Sequence, residues 1–577
     1  MSNVTLKIDG IEVSVPKDYT ILQAARQANI EIPTLCYLQG LNEPASCRIC
    51  VVEVEGWRGL QPACVTKVVE GIVVKTASKV VRETRKGILE LILANHNREC
   101  LSCTRNQNCE LQKMSEEMGV GEVYYQKKAA RAAMDKTGPV VRDTSKCVLC
   151  GRCVSVCSSV QNVDAIDFAH RGPQTSVTTP YEEKLTARNC INCGQCIKVC
   201  PVGALSERDD TDLVWAALEN SELNVVVQTA PAVRIALGEE FGLPVGTDVE
   251  GKMVTALKKL GFDKVFDTNF SADLTIMEEG TELISRINNG GKLPLITSCS
   301  PGWIKFCEHK YPDFLDNLSS CKSPQQMFGA VAKSYYPEKA GIDPKKVFVV
   351  SVMPCTAKKY EADREELVVD ELKDIDVAIT TRELAKMIKQ AGIQFTDLAD
   401  SKADSMMGEG TGAAVIFANT GGVMEAAIRT VADILTGEDL KDIDYIAVRG
   451  QEGIKEASVN IGDLELKVAV ANSTGAASKL LDKIRAGEST YHFIEIMGCA
   501  GGCINGGGQP IIMDKSKTEE VKQLRTAGIY NKDKNNPKRK SHKNEEIQKL
   551  YAEYLDKPGS HKAHHILHTH YVNRGIK

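Results

Sequence analysis

Three short stretches carry cysteine at turns that follow apolar, strand-like runs: Thr297-Ser298-Cys299-Ser300-Pro301-Gly302-Trp303, Met353-Pro354-Cys355-Thr356-Ala357-Lys358-Lys359 and Met497-Gly498-Cys499-Ala500-Gly501-Gly502-Cys503. Of the 21 cysteines, 15 lie upstream of these stretches in tight groups. In a reducing compartment such groups point to metal rather than to disulfides. The upstream half reads as a path for single electrons, and the three stretches as the redox site it serves.

The upstream groups are four. Cys36, Cys47, Cys50 and Cys64 are spaced C-x10-C-x2-C-x13-C, and four thiolates suit a [2Fe–2S] cluster with two ligands per iron. Zinc also accepts four cysteines; the hairpin and helix expected before them favour the cluster. His96, Cys100, Cys103 and Cys109 follow as H-x3-C-x2-C-x5-C. An imidazole in place of one thiolate removes a negative charge, which raises the potential of a cluster. Cys147, Cys150, Cys153 and Cys157 are then repeated as Cys190, Cys193, Cys196 and Cys200-Pro201. In this two-cluster run the fourth cysteine crosses over. One [4Fe–4S] is expected on Cys147, Cys150, Cys153 and Cys200, the other on Cys190, Cys193, Cys196 and Cys157.

The elements that must position these groups are legible in outline. The alternating run VTLKIDGIEVSV reads as a hairpin turning at Gly10, and Thr20 as the cap of a helix beginning ILQAARQA. A helix is expected over SKVVRETRKGILELILANHN, and a linker over 127–140. From residue 211 apolar strands alternate with helical patterns, NVVVQTAP, LPLITSCSPGW, KVFVVSVMPC, DVAITT and AVIFANTGG each preceding a helix. That order predicts parallel sheets covered by helices, with ligands beyond the carboxyl ends of the strands. The predicted units are 1–77, 78–126, 127–210 and 211–577. The His-rich end, with His561, His564, His565, His568 and His570, reads as a surface tail.

Composition narrows the function. A net charge of −5 and 5% aromatics exclude an ordinary nucleic-acid binder. No signal peptide and no apolar run long enough to span a membrane are found, so a cytoplasmic protein is expected. There is no G-x-G-x-x-G in the right context, no phosphate loop and no haem attachment motif.

The motifs identify a resemblance. TSCSPGW resembles TSCCPGW, MPCTAKK resembles MPCxxKK and MGCAGGC resembles MACxGGC of the iron-only ([FeFe]) hydrogenases; TIMEEGTEL and SPQQMFG match as well. The first cysteine spacing resembles the ferredoxin-like domain of that family and of the large iron–sulfur subunit of complex I. The likeness extends over essentially the whole chain and is strongest to multi-cluster catalytic subunits of NAD(P)-linked, electron-bifurcating assemblies. It implies an α+β multidomain fold: a β-grasp [2Fe–2S] domain, a [4Fe–4S] domain with one His and three Cys, a two-[4Fe–4S] bacterial-ferredoxin-like domain, and a two-lobed α/β domain with a small-subunit-like tail. That last domain would carry an H-cluster, a [4Fe–4S] cube joined to a di-iron unit. By position Cys355 and Cys499 would be cube ligands and Cys503 would bridge cube and di-iron unit. Lys358 would hydrogen-bond a cyanide, Met353 and Met497 would pack the pocket, and Ala230 and Pro231 would line it. Cys299 would relay protons, with Glu279, Ser319, Glu282 and Arg286 continuing to solvent. Electrons would pass to ferredoxin, or to flavin- and NAD(P)-binding and small iron–sulfur subunits of a hetero-oligomer, in an anaerobic setting.

The chain departs from the family at Ser300, where the fourth cube ligand is a cysteine. Serine or water completes the cube, or Cys299 or Cys321 does, or the centre is altered; Cys307, seven helical residues on, lies about 10 Å away. Ala232, Gly498, Ala418 and Ala500 are smaller departures. Two functions follow: an H2-producing and H2-oxidising enzyme, or a non-catalytic electron-transfer or sensory protein on the same scaffold. A module like that of complex I would not need Cys355, Cys499 and Cys503.

Overall fold

The computed structural model describes residues 2–126, 134–462 and 464–576. Strands Asn3–Ile8 and Ile11–Pro16 form the expected hairpin. Asp9 and Gly10 turn it with φ of 48° and 87°, the left-handed pair that a two-residue hairpin favours. Thr20 caps helix Ile21–Gln27 and Gln23 returns the bond, a capping box. Strand Val73–Lys75 joins parallel to the first strand, completing a five-stranded sheet closed by Val51–Val54 and Gln61–Pro62. Leu6, Ile8, Ile21, Leu22 and Val74 fill its core. Helix Lys79–Asn95 follows, and His96 stands at its carboxyl end.

The cysteine repeat is folded as a repeat. Helices Arg152–Ser155 and Gln195–Val199 each follow a left-handed glycine, Gly151 at φ 78° and Gly194 at φ 69°. Strand Val140–Arg142 pairs antiparallel with Leu205–Glu207 and closes the unit. Part of the expected linker, 127–133, lies outside the described residues. The segment after Gly138-Pro139 is a strand rather than a linker.

Residues 211–577 hold two four-stranded sheets. The first is parallel throughout, in the order Lys264–Asp267, Asn224–Thr229, Val347–Met353, Val377–Thr380. The second runs Leu295–Ile296, Phe493–Met497, Leu464–Asn472, Ile454–Ile461; its last strand is antiparallel. The sequence expectation of parallel sheets therefore fails at this edge, where a hairpin with alternately exposed side chains stands. The expected strand AVIFANTGG is also wrong. Residues Gly412–Val415 are helical and Ile416–Ala418 a tight turn. Ala413 to Ala418 are all buried, and a helix buried on every side shows no polar face to betray its period. Helix Thr268–Asn288 packs against helices Pro324–Ala332 and Gly422–Thr436 and carries Glu279 and Glu282. Among the described residues no helix is long and apolar enough to cross a membrane.

Candidate active site and the cysteine sites beside it

The three cysteine stretches meet. Met353 and Met497 end central strands of the two sheets, and Ser300 stands at the start of helix Pro301–Lys310, just beyond strand Leu295–Ile296. The carboxyl ends of both sheets thus open on one chamber. Cys299, Ser300, Cys355, Cys499, Cys503, Lys358, Met353, Met497, Ala230 and Pro231 all line it. Thr268, Gln325 and Phe417 line it too. The residue reading missed these three, although Gln325 sits inside the SPQQMFG segment. Its Oε1 is buried without a partner, while its Nε2 donates to Glu361 Oε2 at 2.9 Å. The loop after Cys499 needs its glycines: Gly502 has φ 88°, and a Cβ on Gly506 would stand 2.2 Å from the Pro354 carbonyl oxygen.

The chamber leaves its edge through acid–base groups. Glu279 is buried, and burial with the nearby Glu282 charge pushes its carboxyl up to about 8. The Ser319 hydroxyl lies beside Glu279, whose pKa it holds down in part, and donates to Glu282 Oε2 at 2.8 Å. Arg286 Nη2 donates to Glu282 Oε1 at 2.6 Å. Cys299 adjoins this chain: burial and the Glu279 charge raise its thiol well above the usual range. Lys358 donates to Ser323 Oγ and to Glu361 Oε2, both at 2.8 Å, which fixes its ammonium at the chamber wall.

The other two cysteines go elsewhere. Cys321 Sγ lies 3.8 Å from Glu282 Oε2, beside the acid–base chain. Cys307 bonds the Tyr311 carbonyl oxygen and packs with Trp303 and Phe306. Neither lines the chamber. The tail expected at the surface is corrected at one residue. His568 is held by Ser320 Oγ at 2.8 Å and by Glu278 Oε2 at 3.1 Å, while His561, His564, His565 and His570 are exposed.

The upstream cysteines are free thiols. Cys36 lies beside Cys47 and Cys50 beside Cys64, each pair close enough for one thiol to shift the pKa of the other. Cys147, Cys150, Cys153 and Cys200 line one cavity, and Cys157, Cys190, Cys193 and Cys196 line another. The crossover grouping is thus the one the fold brings together. The amides of Leu149 and Ala165 donate to Cys147 and Cys157 sulfur at 3.4 Å, bonds that stabilise a more reduced cluster. His96 Nδ1 lies 2.9 Å from the Lys146 carbonyl oxygen. A carbonyl only accepts, so Nδ1 carries the proton and Nε2 keeps the lone pair a metal needs. Cys103 owes its position to Gly203, where a Cβ would meet its sulfur at 2.4 Å.

One set abuts the chamber. Thr356 Oγ1 donates to the Asn192 carbonyl oxygen at 2.6 Å, and Gln195 Nε2 to that of Asn505 at 3.0 Å. A Cβ on Gly507 would stand 2.7 Å from the Gly194 Cα. Cys193 and Cys499 are near enough for the charge of one to raise the other's thiol pKa.

A buried thiol-lined chamber, an acid–base chain leaving it and a series of cysteine sites approaching it define an iron–sulfur oxidoreductase. Family models agree in detail. The model for the C-terminal domain of the iron-only hydrogenase large subunit matches 223–507, and that for the iron hydrogenase small subunit matches 519–574. A 2Fe-2S iron-sulfur cluster binding domain matches 1–79, the NADH-ubiquinone oxidoreductase-G iron-sulfur binding region 85–123, and a 4Fe-4S dicluster domain 146–204. The chain is 49% identical to the NADP-reducing hydrogenase subunit HndD of Solidesulfovibrio fructosivorans over 100% of both. It is 47% identical to iron hydrogenase 1 of Clostridium pasteurianum over 98% of this chain and 99% of that one. A solved structure of an apo [FeFe]-hydrogenase variant from Chlamydomonas reinhardtii, 42% identical, covers 64% of this chain and 100% of its own with a TM-score of 0.57. The chain belongs to the iron-only hydrogenase family, and it is a hydrogenase with several iron–sulfur domains.

Proposed function

We propose that the chamber holds an H-cluster and that the chain interconverts two protons, two electrons and H2 there. The observation that carries this is the meeting of Cys355, Cys499 and Cys503 with Cys299 on one chamber, beside the chain Glu279–Ser319–Glu282–Arg286. When bound, the cluster supplies the metal at which H2 is made or split. Cys355, Cys499 and Cys503 would hold it, and the Lys358 ammonium would bind an anionic ligand of it. Met353, Met497, Ala230 and Pro231 exclude water. Cys299 exchanges a proton with Glu279, and Ser319, Glu282 and Arg286 pass it to solvent; groups within hydrogen-bond reach are what such transfer needs.

Four accessory clusters carry the electrons: one [2Fe–2S] on Cys36, Cys47, Cys50 and Cys64, one [4Fe–4S] on His96, Cys100, Cys103 and Cys109, and two in the crossed repeat. Cys193 beside Cys499 supports entry from that repeat. The electrons go to ferredoxin or to a flavoprotein partner in the cytoplasm. One relative is named a subunit of an NADP-reducing hydrogenase, and this sequence carries no dinucleotide motif, so NAD(P) chemistry falls to a partner. Infrared spectra of the matured protein test the reading. CO and cyanide bands with H2 activity are expected; absence of both assigns the chain to the non-catalytic role.

A further inference from the structure

Four side chains of the chamber stand where a cube would be gripped: Cys355, Cys499, Cys503 and Ser300. A cube has four irons, and three of these groups are thiols. The fourth is already engaged. Ser300 Oγ accepts the N–H of Gly498 at 3.1 Å. The bond exists because residue 498 has no side chain: a Cβ there would lie 2.9 Å from Ser300 Oγ and 3.4 Å from the Trp303 amide nitrogen. The first distance is closer than carbon and oxygen tolerate without a bond, so any other residue at 498 would drive the hydroxyl from its seat. Serine binds iron only as an alkoxide. An aliphatic hydroxyl is far less acidic than a thiol, so serine is the weakest of the four donors.

One further thiol, Cys299, lines the chamber and is assigned to the proton path. Cys307 and Cys321 lie outside the chamber, and Cys299 adjoins Glu279. On the reading that the chamber holds a cube, we propose that three thiolates hold it and that its fourth iron is an open coordination site. Water or hydroxide occupies that site in the resting protein and exchanges for a small anionic donor such as cyanide. The exchange is a ligand substitution with no change of oxidation state. Gly498 and Ser300 act as a pair: the glycine leaves room for its own amide to hold the hydroxyl oxygen.

The test uses the full chain made without the di-iron unit, reduced and treated with 13C-cyanide, and reads 13C hyperfine coupling by electron–nuclear double resonance. Coupling is expected in the wild type and unchanged in Ser300→Ala, since serine is not a ligand. It is expected to vanish in Ser300→Cys, which supplies a fourth thiolate. The accessory sites keep their full donor sets in all three proteins, so coupling that survives Ser300→Cys overturns the proposal. So does its absence from the wild type, and coupling gained only in Ser300→Ala would identify serine as the ligand. If Ser300→Cys does not fold, Gly498→Ala serves instead. The methyl moves the hydroxyl, which on this proposal is no ligand, so the coupling should stay as in the wild type; its loss would show that serine closes the site and overturn the proposal. Iron content separates the two readings: about 18 irons without coupling refutes the open site alone, whereas about 14 means that no cube forms and the H-cluster reading falls with it.

Discussion

Glu279 shows how one residue couples folding to proton chemistry. Its carboxyl is pushed from an ordinary 4.5 up to about 8. Between these values the folded protein holds a proton that the unfolded chain has released. Its contribution to stability is therefore complete below 4.5 and is lost as pH rises through about 8. Glu279→Gln removes the titration. The fall in melting temperature from about pH 5 to about pH 8 is predicted to be smaller in the variant than in the wild type; equal falls would show that Glu279 titrates normally. The same position makes the group useful, since a carboxyl poised near neutrality both gives and takes a proton. The pairing of Glu279 with Glu282 on one helical face was legible from their spacing. The burial that moves the pKa was not, because it comes from helices remote in sequence.

At the scale of elements, two contacts were hidden from the sequence. The C-terminal His-rich segment is tied to helix Thr268–Asn288 through His568, Glu278 and Ser320, with Glu278 also accepting from Tyr551 and from the Gly559 amide. His568→Ala leaves a buried carboxylate one donor short, and a loss of about 1–3 kcal/mol is predicted in denaturant unfolding. His561→Ala, at an exposed position, should cost less than about 0.5 kcal/mol. The second contact is Gly203 under Cys103. Gly203→Ala places a methyl 2.4 Å from the sulfur. The site with His96 is predicted to empty, lowering iron by about four atoms per chain while the two-cluster repeat keeps its spectrum. An unchanged iron count would show that the loop yields.

For the whole molecule, the seam between the cysteine repeat and the chamber is the proposed point of electron entry. Gly194 at φ 69° faces Gly507, and a Cβ on it would meet Thr356 Oγ1 at 2.4 Å. Gly194→Ala should cost about 1–3 kcal/mol and slow electron exchange with an external acceptor. The infrared bands of the site should stay in place; shifted bands would mean that the chamber itself is distorted. The sequence alone determined how the cysteines of the repeat group, with Cys157 and Cys200 crossed, the hairpin at Gly10 and the cap at Thr20. Each depends on neighbours within a few residues or on the fixed geometry of a cluster. It misread the buried helix at 412–415, passed over the antiparallel hairpin 454–472 and left His568 at the surface. Tertiary structure decided those, because burial on all sides removes the period that marks an element. It also decided Ser300. The sequence marks a serine in place of a cysteine, but only the approach of the Gly498 amide from a distant strand end shows where its hydroxyl goes.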